Sequence, residues 1–369
     1  MSKRPIVAFL VNDFTVGGAQ RLHIDLFNNL HDQFEMHLIT LMEFPNRTLM
    51  YDEVPPEVTV HRLNFASFRD FTSWRKLLRL LRSIRPDVVV SSLFLSNTIA
   101  RVLKPLVGYT SIIVIHNTYI AKTQAQIVVD WILSHVTYRI VAVSNSVRTF
   151  TAAQEHIPLE KFVVIPNGLN LRETEPTGVD CAAVRAELGL SPDDHLVIDV
   201  ARLTDQKNLQ LLIDAFADFS KEYPTYTLAI FGEGVLRKQL EDRIKDRDAH
   251  GRILLAGVRK DLVPYYKAAD FFVSSSFIEG FGLAHAEALL CGTPVLTTKT
   301  AGPDEMIKEG ENGFFIEGTS KENILAGLRK MKATNLSSMQ AAAMRSVEGL
   351  DIKRTAEAYT RLIHESIGL

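Results

Sequence analysis

Short β-branched runs alternate with amphipathic stretches from one end of the chain to the other. In the first half, apolar runs at Ile6–Val11, His37–Leu41, Val58–Leu63, Asp87–Val90, Ile112–Ile115, Ile140–Val143 and Phe162–Ile165 predict strands. Their near-continuous apolar character is that of strands covered on both faces, as in parallel sheets. Between them the periodicity predicts helices such as Ala19–Leu30 and Thr72–Ile84, with Pro86-Asp87 stopping one and Ser144 opening another. The second half repeats the scheme, with strands expected at Leu196–Val200, Thr227–Phe231, Ile253–Leu255, Phe271–Val273 and Pro294–Thr297. Helices are expected there at Asn208–Lys221, Leu236–Arg247, Val263–Ala268 and Ala284–Cys291. Repeated βα units with right-handed crossovers wind into parallel sheets, so the pattern predicts two doubly wound α/β domains. Pro166-Asn167-Gly168 and the polar stretch Arg172–Asp180 mark the break between them. A last amphipathic helix is expected over 351–369, with Ala356, Tyr359, Leu362 and Ile363 on one stripe.

Composition agrees with two cores and removes several classes. The chain has 369 residues, of which 46% are hydrophobic, too many for a disordered chain. The longest strict apolar run is Ile6–Val11, far below the ~18 residues of a spanning helix and short for a signal-peptide core. Cys181 and Cys291 make neither a disulfide framework nor a metal cluster, so a reducing, cytoplasmic setting is expected. The net charge of −2 hides a split. Residues 1–172 carry 18 Lys/Arg against 13 Asp/Glu, and residues 173–369 carry 23 against 30. Either the first half faces something anionic, or the two halves simply vary.

Two such sheets side by side make a cleft at the carboxyl ends of their strands, so the loops after strands hold the candidate chemistry. The first strand runs into Gly17-Gly18-Ala19-Gln20, which reads as a tight turn or as a close backbone approach to an anion at a helix terminus. The dinucleotide fingerprint and the P-loop are absent, and Gly232-x-Gly234 lacks a third glycine. Arg202 follows a strand and Lys207 precedes a helix, a pair able to reach one diphosphate. The helix dipole disfavours a cation at Lys207, and such local inconsistency marks sites. Glu279-Gly280-Phe281-Gly282-Leu283-Ala284 opens the next helix and bares its first amides. Glu287 sits deeper, among Ala286, Ala288 and Leu289, where an acid needs a specific partner. His116 ends a strand and is either structural or aimed at ligand. Asp246-Arg247-Asp248 has metal-diphosphate spacing but reads as a solvated helix end. No zinc spacing and no basic–aromatic interleaving occurs, so neither a metal nor a nucleic acid is expected.

The stretch Trp74–Arg85 places Trp74, Leu77, Leu78, Leu81 and Ile84 on one stripe and Arg75, Arg79 and Arg82 on another. The apolar stripe reads as core, leaving a basic face free to meet an anionic membrane.

Taken together, these residues resemble glycosyltransferase family 4, retaining enzymes of the GT-B fold. The resemblance rests on Gly17-Gly18-Ala19-Gln20-Arg21, His116, Ile165-Pro166-Asn167-Gly168, Ala201-Arg202-Leu203 with Lys207-Asn208, and Phe231-Gly232-Glu233-Gly234. Its most specific part is the E-x7-E spacing from Glu279 to Glu287, continuing to Pro294-Val295. It implies two Rossmann-like domains facing each other across a cleft: an acceptor-side domain at 1–172, joined by helix 351–369, and a donor-binding domain at 173–350. It implies that Arg202 and Lys207 hold the donor diphosphate, with Gly17, Gly18 and the amides near Gly282, Leu283 and Ala284 on the same phosphates. Glu287 would bind the ribose, the backbone near Val258 would lie by the base, and Glu279 and His116 would contact the transferred sugar. The co-substrate would be a nucleotide-diphosphate sugar, UDP favoured over GDP, and no metal or other cofactor would be needed. The Gly-Gly-Ala-Gln-Arg form resembles bacterial enzymes of lipid-linked or surface glycan assembly, including lipopolysaccharide. That implies a glycan or lipid-linked acceptor and a peripheral place on the inner face of the cytoplasmic membrane. Asp199 and Asn170 depart from the pattern. Asp199 is expected to pair with a basic group or to alter the donor site. The competing readings are an inactive nucleotide-sugar-binding subunit and a sugar-nucleotide epimerase on the same fold.

Overall fold

The computed structural model describes residues 4–44, 48–65, 70–171 and 180–369; the stretch 172–179, including Arg172, Pro176 and Gly178, lies outside them. The chain divides into two compact units, residues 1–168 with 350–369, and residues 169–349.

Unit 1 runs β1 (Ile6–Val11), α1 (Gly18–Leu30), β2 (Glu35–Thr40), β3 (Thr59–Arg62), α2 (Phe71–Ile84), β4 (Val88–Ser92), α3 (Phe94–Val107), β5 (Thr110–Ile115), α4 (Gln124–Ser134), β6 (Arg139–Ala142), α5 (Asn145–Glu155) and β7 (Phe162–Val164). Its seven parallel strands take the order β3-β2-β1-β4-β5-β6-β7. The direction of winding reverses between β1 and β4, which is where such sheets open a crevice at their carboxyl ends. α2 forms because Asp70 caps it, accepting from the Thr72 and Ser73 amides at 3.0 and 3.2 Å, and it stops where Arg85 turns left-handed. Leu77 and Leu81 of α2 join Ile99 and Leu103 of α3 over Ala8, Leu10 and Val89 of the sheet. Arg75, Lys76, Arg79 and Arg82 are exposed on the opposite side of α2.

Unit 2 runs α6 (Cys181–Glu187), β8 (His195–Val200), α7 (Leu209–Glu222), β9 (Tyr226–Phe231), α8 (Arg237–Asp246), β10 (Ile253–Gly257), α9 (Val263–Ala268), β11 (Phe271–Ser274), α10 (Leu283–Leu290), β12 (Val295–Thr298), α11 (Ala301–Met306), β13 (Gly313–Ile316), α12 (Lys321–Ala333) and α13 (Gln340–Val347). The last helix, α14 (Ile352–Ile367), belongs to unit 1, where Thr355 Oγ1 donates to the Pro166 carbonyl at 3.0 Å. The strand order is β10-β9-β8-β11-β12-β13, reversing between β8 and β11. Sequence pattern predicts five strands here; the sixth, β13, pairs with β12 through Gly313, where a Cβ would lie 2.2 Å from the Val295 carbonyl. Asp246 and Asp248 are exposed at the end of α8, consistent with a solvated helix end.

Candidate active site

In unit 2 the predicted polar residues gather on the loops that leave β8 and β11, the two strands at the winding reversal. Arg202 follows β8; it is exposed and has no ion-pair partner among the described residues. Lys207 closes a single 3-10 turn, Asp205–Lys207, and Asn208 then turns left-handed (φ 53°) so that α7 starts at Leu209. The Lys207 ammonium is bonded to Glu279 Oε1, which also accepts from Ser276 Oγ at 2.9 Å. This pairing resolves the misplacement of a cation at a helix start: a carboxylate answers it. The two loops are joined by more than the ion pair. Gln206 Nε2 donates to the Ile278 carbonyl at 2.8 Å, the Phe277 amide donates to the Gln206 carbonyl at 2.9 Å, and Ser275 Oγ donates to the Lys207 carbonyl at 3.2 Å. Burial pushes the Glu279 carboxyl up, but Lys207, His285 and the two side-chain hydrogen bonds outweigh it and hold the group below its ordinary value.

Asp199, in β8, is 2% exposed. Its Oδ1 has no hydrogen-bond partner, and it forms no ion pair among the described residues, so the expected pairing with a basic group is not made. Burial pushes its carboxyl up to about 7, against the pull of Lys207 and with the push of Glu279.

α10 is preceded by Gly282, which is left-handed (φ 83°) and offers no side-chain cap. Its first-turn amides therefore lack intrahelical acceptors. A Cβ on Gly282 would sit 2.8 Å from His285 Nδ1, a buried nitrogen with no partner. His285 Nε2 contacts Thr297 Oγ1 at 2.9 Å, and burial lowers the ring to about 4, so it is neutral. One turn on, Glu287 accepts from the hydroxyl of the fully buried Tyr266 at 2.9 Å, which supplies the partner its apolar setting requires. Glu279 and Glu287 thus have separate partners. Val258 follows β10 and is partly exposed.

In unit 1, Gly17 precedes α1 without a side-chain cap, and a Cβ there would meet Gln20 Oε1 at 2.8 Å. His116 follows β5, and both its ring nitrogens are shielded from solvent without a partner. Its ring lies 6.3 Å from that of His23. His23 Nδ1 donates to the Ala19 carbonyl at 2.5 Å, which leaves Nε2 to accept from the Ser92 hydroxyl at 3.0 Å. Burial, with a smaller contribution from His23, lowers His116 to about 3; His23 itself falls to about 4. Both rings are neutral. Among the described residues no group of three or more His, Cys, Asp or Glu side chains is arranged to hold a metal ion.

Two family descriptions match this chain: Glycosyltransferase Family 4 over residues 16–173 and Glycosyl transferases group 1 over residues 182–345. The chain belongs to the family 4 glycosyltransferases. It is 26% identical to the UDP-Gal:alpha-D-GlcNAc-diphosphoundecaprenol alpha-1,3-galactosyltransferase of Escherichia coli over 82% of this chain and 81% of that one. It is 31% identical to the alpha-monoglucosyldiacylglycerol synthase of Acholeplasma laidlawii over 42% of its own length, and spans 40% of the length of that relative. In structure it is similar to Anabaena HepE in complex with UDP-glucose, with a TM-score of 0.82 at 20% identity over 97% and 99% of the two chains. The fold of the glycosyltransferase is therefore GT-B, built from the two Rossmann-like units described.

Three features of the glycosyltransferase escape a reading of its motifs alone. Gly232 and Gly234 look like an incomplete fingerprint, yet each is a packing requirement. A Cβ on Gly232 would lie 2.0 Å from the Ala201 carbonyl, and one on Gly234 would lie 2.4 Å from the Leu203 carbonyl, on either side of Arg202. Tyr266 carries no motif, and only its depth in the fold reveals it as the partner of Glu287. His23 lies on α1, and nothing in its local sequence announces that it packs beside His116.

Proposed function

We propose that this glycosyltransferase moves a sugar from a UDP-sugar to a lipid-linked or glycan acceptor, with retention at the anomeric carbon and without a metal. The observation that carries this reading is the Lys207–Glu279 pair beside the exposed Arg202 and the uncapped start of α10. Cations and free amides on one side of a sheet fit a diphosphate that gains charge as the sugar leaves. Arg202 and Lys207 take the charge on the leaving diphosphate, and the amides at Gly282, Leu283 and Ala284 bond its oxygens. Gly17 and Gly18 are assigned to the same phosphates, Val258 to the base and Glu287 to the ribose. Glu279 and His116 bond hydroxyls of the transferred sugar, His116 through ring nitrogens that lack any other partner. The bond from the anomeric carbon to the β-phosphate oxygen breaks, the acceptor oxygen joins that carbon on the same face, and its proton passes to the phosphate oxygen.

The choice of UDP and of a lipid-linked acceptor is supported by the activities for which the E. coli and A. laidlawii relatives are named and by UDP-glucose in the HepE structure. No helix among the described residues is long and apolar enough to cross a membrane. We place the protein at the cytoplasmic face of the membrane, held there by the basic side of α2. The test is transfer by purified protein with a panel of nucleotide sugars. Glu279→Gln and Lys207→Ala should each reduce kcat at least about a hundredfold while the fold survives, and a chelator should leave wild-type turnover unchanged. Turnover unaffected by both substitutions overturns the assignment.

A further inference from the structure

A helix packed on a sheet turns its apolar side inward. α4 does the reverse. Its Asp130 is 2% exposed, bonded to the buried Arg101 of α3 and, at 2.7 Å, to Lys122 Nζ. Lys122 is bonded in turn to Glu155 of α5. This buried network fixes the rotation of α4 and leaves Val128, Val129, Trp131 and Ile132 pointing out, 43–54% exposed. On α3, Val102 and Leu106 are exposed as well, at 45% and 55%. α3 packs between α2 and α4, and all three connect strands that progress in one direction across the sheet, so they form one layer on one face. The outer surface of that layer is basic on α2 and apolar on α3 and α4. Asp130 is the single carboxylate within these three helices, and the network consumes it.

We infer that this face is a membrane-insertion ledge. Val102, Leu106 and the outward side chains of α4 enter the boundary between headgroups and acyl chains of an anionic bilayer, and Arg75, Arg79 and Arg82 hold lipid phosphates alongside. Charge complementarity selects the occupant. A second copy of this face would bring the same unanswered cations and no exposed carboxylate from these helices, whereas lipid phosphates neutralise them. Trp131, with an apolar body and a polar N–H, suits the headgroup level. The inference rests on the reading of unit 1 as the side that meets a lipid-linked acceptor, and it adds hydrophobic insertion to what α2 alone would do electrostatically.

Sedimentation with vesicles of phosphatidylcholine and phosphatidylglycerol, at low and high salt, tests it with the full chain. Trp131→Ser with Ile132→Ser should weaken binding at least about tenfold at both salt concentrations, while donor-sugar hydrolysis in the absence of vesicles stays at the wild-type rate. Arg75→Glu with Arg79→Glu and Arg82→Glu should weaken binding chiefly at low salt. In a Trp74→Phe background, where Trp131 is the remaining tryptophan, its emission should shift to the blue on adding vesicles. Unchanged binding in the serine variant, or no shift in emission, overturns the ledge. So does a concentration-dependent dimer, formed without lipid and abolished by the serine pair. If the charge reversal leaves binding and its salt dependence untouched while the serine pair removes it, the electrostatic role of α2 falls and the ledge stands.

Discussion

Asp199→Asn should make the protein more stable, and increasingly so as the pH rises. Asp199 lies in the middle strand of unit 2, 2% exposed, with Oδ1 unpartnered. Burial disfavours its charged form and lifts the carboxyl from 3.8 to about 7. A folded-state value raised above the unfolded one means that the folded state holds a proton that the unfolded chain has already released. Stability is therefore fully present below pH ~4 and declines from there up through pH ~7. The difference between 3.8 and about 7, at about 1.4 kcal/mol per pH unit, is worth about 4 kcal/mol. Asparagine has no such liability. Its advantage over aspartate should grow by about 2 to 3 kcal/mol between pH 5 and pH 8, most of the titration falling in that interval. Urea unfolding read by hydrogen exchange over β8 and β9 is the suitable assay, because both tryptophans lie in unit 1 and would report the other half. Equal stability differences at the two pH values would refute the reasoning, since an ionised and well-solvated Asp199 is the one state that gives no pH dependence.

Gly232→Ala should destabilise unit 2 by more than about 2 kcal/mol, from a Cβ placed 2.0 Å from the Ala201 carbonyl, and should raise the donor KM by displacing Arg202. Gly251→Ala is the control, with positive φ but nothing within 4 Å; a thermal shift as large as that of Gly232→Ala would exclude the clash as the cause. Tyr266→Phe leaves Glu287 one donor short and should raise the donor KM about tenfold with kcat little changed, as measured by initial rates. An unchanged KM would remove Glu287 from donor binding.

The strands were legible because parallel sheets buried on both faces demand continuous apolar runs, and Ile6–Val11 is buried at every position. β13 was not, because Gly-Phe-Phe-Ile is short and begins with a residue that strands avoid; only the close approach to Val295 explains that glycine. α4 is harder still. Four of its six large apolar residues face out and its one acid faces in, so periodicity would orient it backwards. Within the site, Lys207 and Glu287 stand out as charges placed against local preference, and Arg202 and Glu279 by their place in loops that follow strands. Their partners do not. Lys207 and Glu279 meet from loops 72 residues apart, and Tyr266 reaches Glu287 from a different helix. Motif spacing reports where chemistry is carried, whereas pairing between distant loops is decided by strand order.

The stitching of the Asp205–Asn208 loop to the Ser275–Glu279 loop has a consequence for how this enzyme can be altered. Gln206, Phe277, Ser275 and Lys207 tie the two segments into one body, so their substitutions should be strongly epistatic, with double-mutant cycles departing from additivity. Donor preference would then be inherited as a paired cassette. Grafting one loop from a relative onto this chain should yield a poorer enzyme than grafting both, although each loop taken singly changes fewer residues.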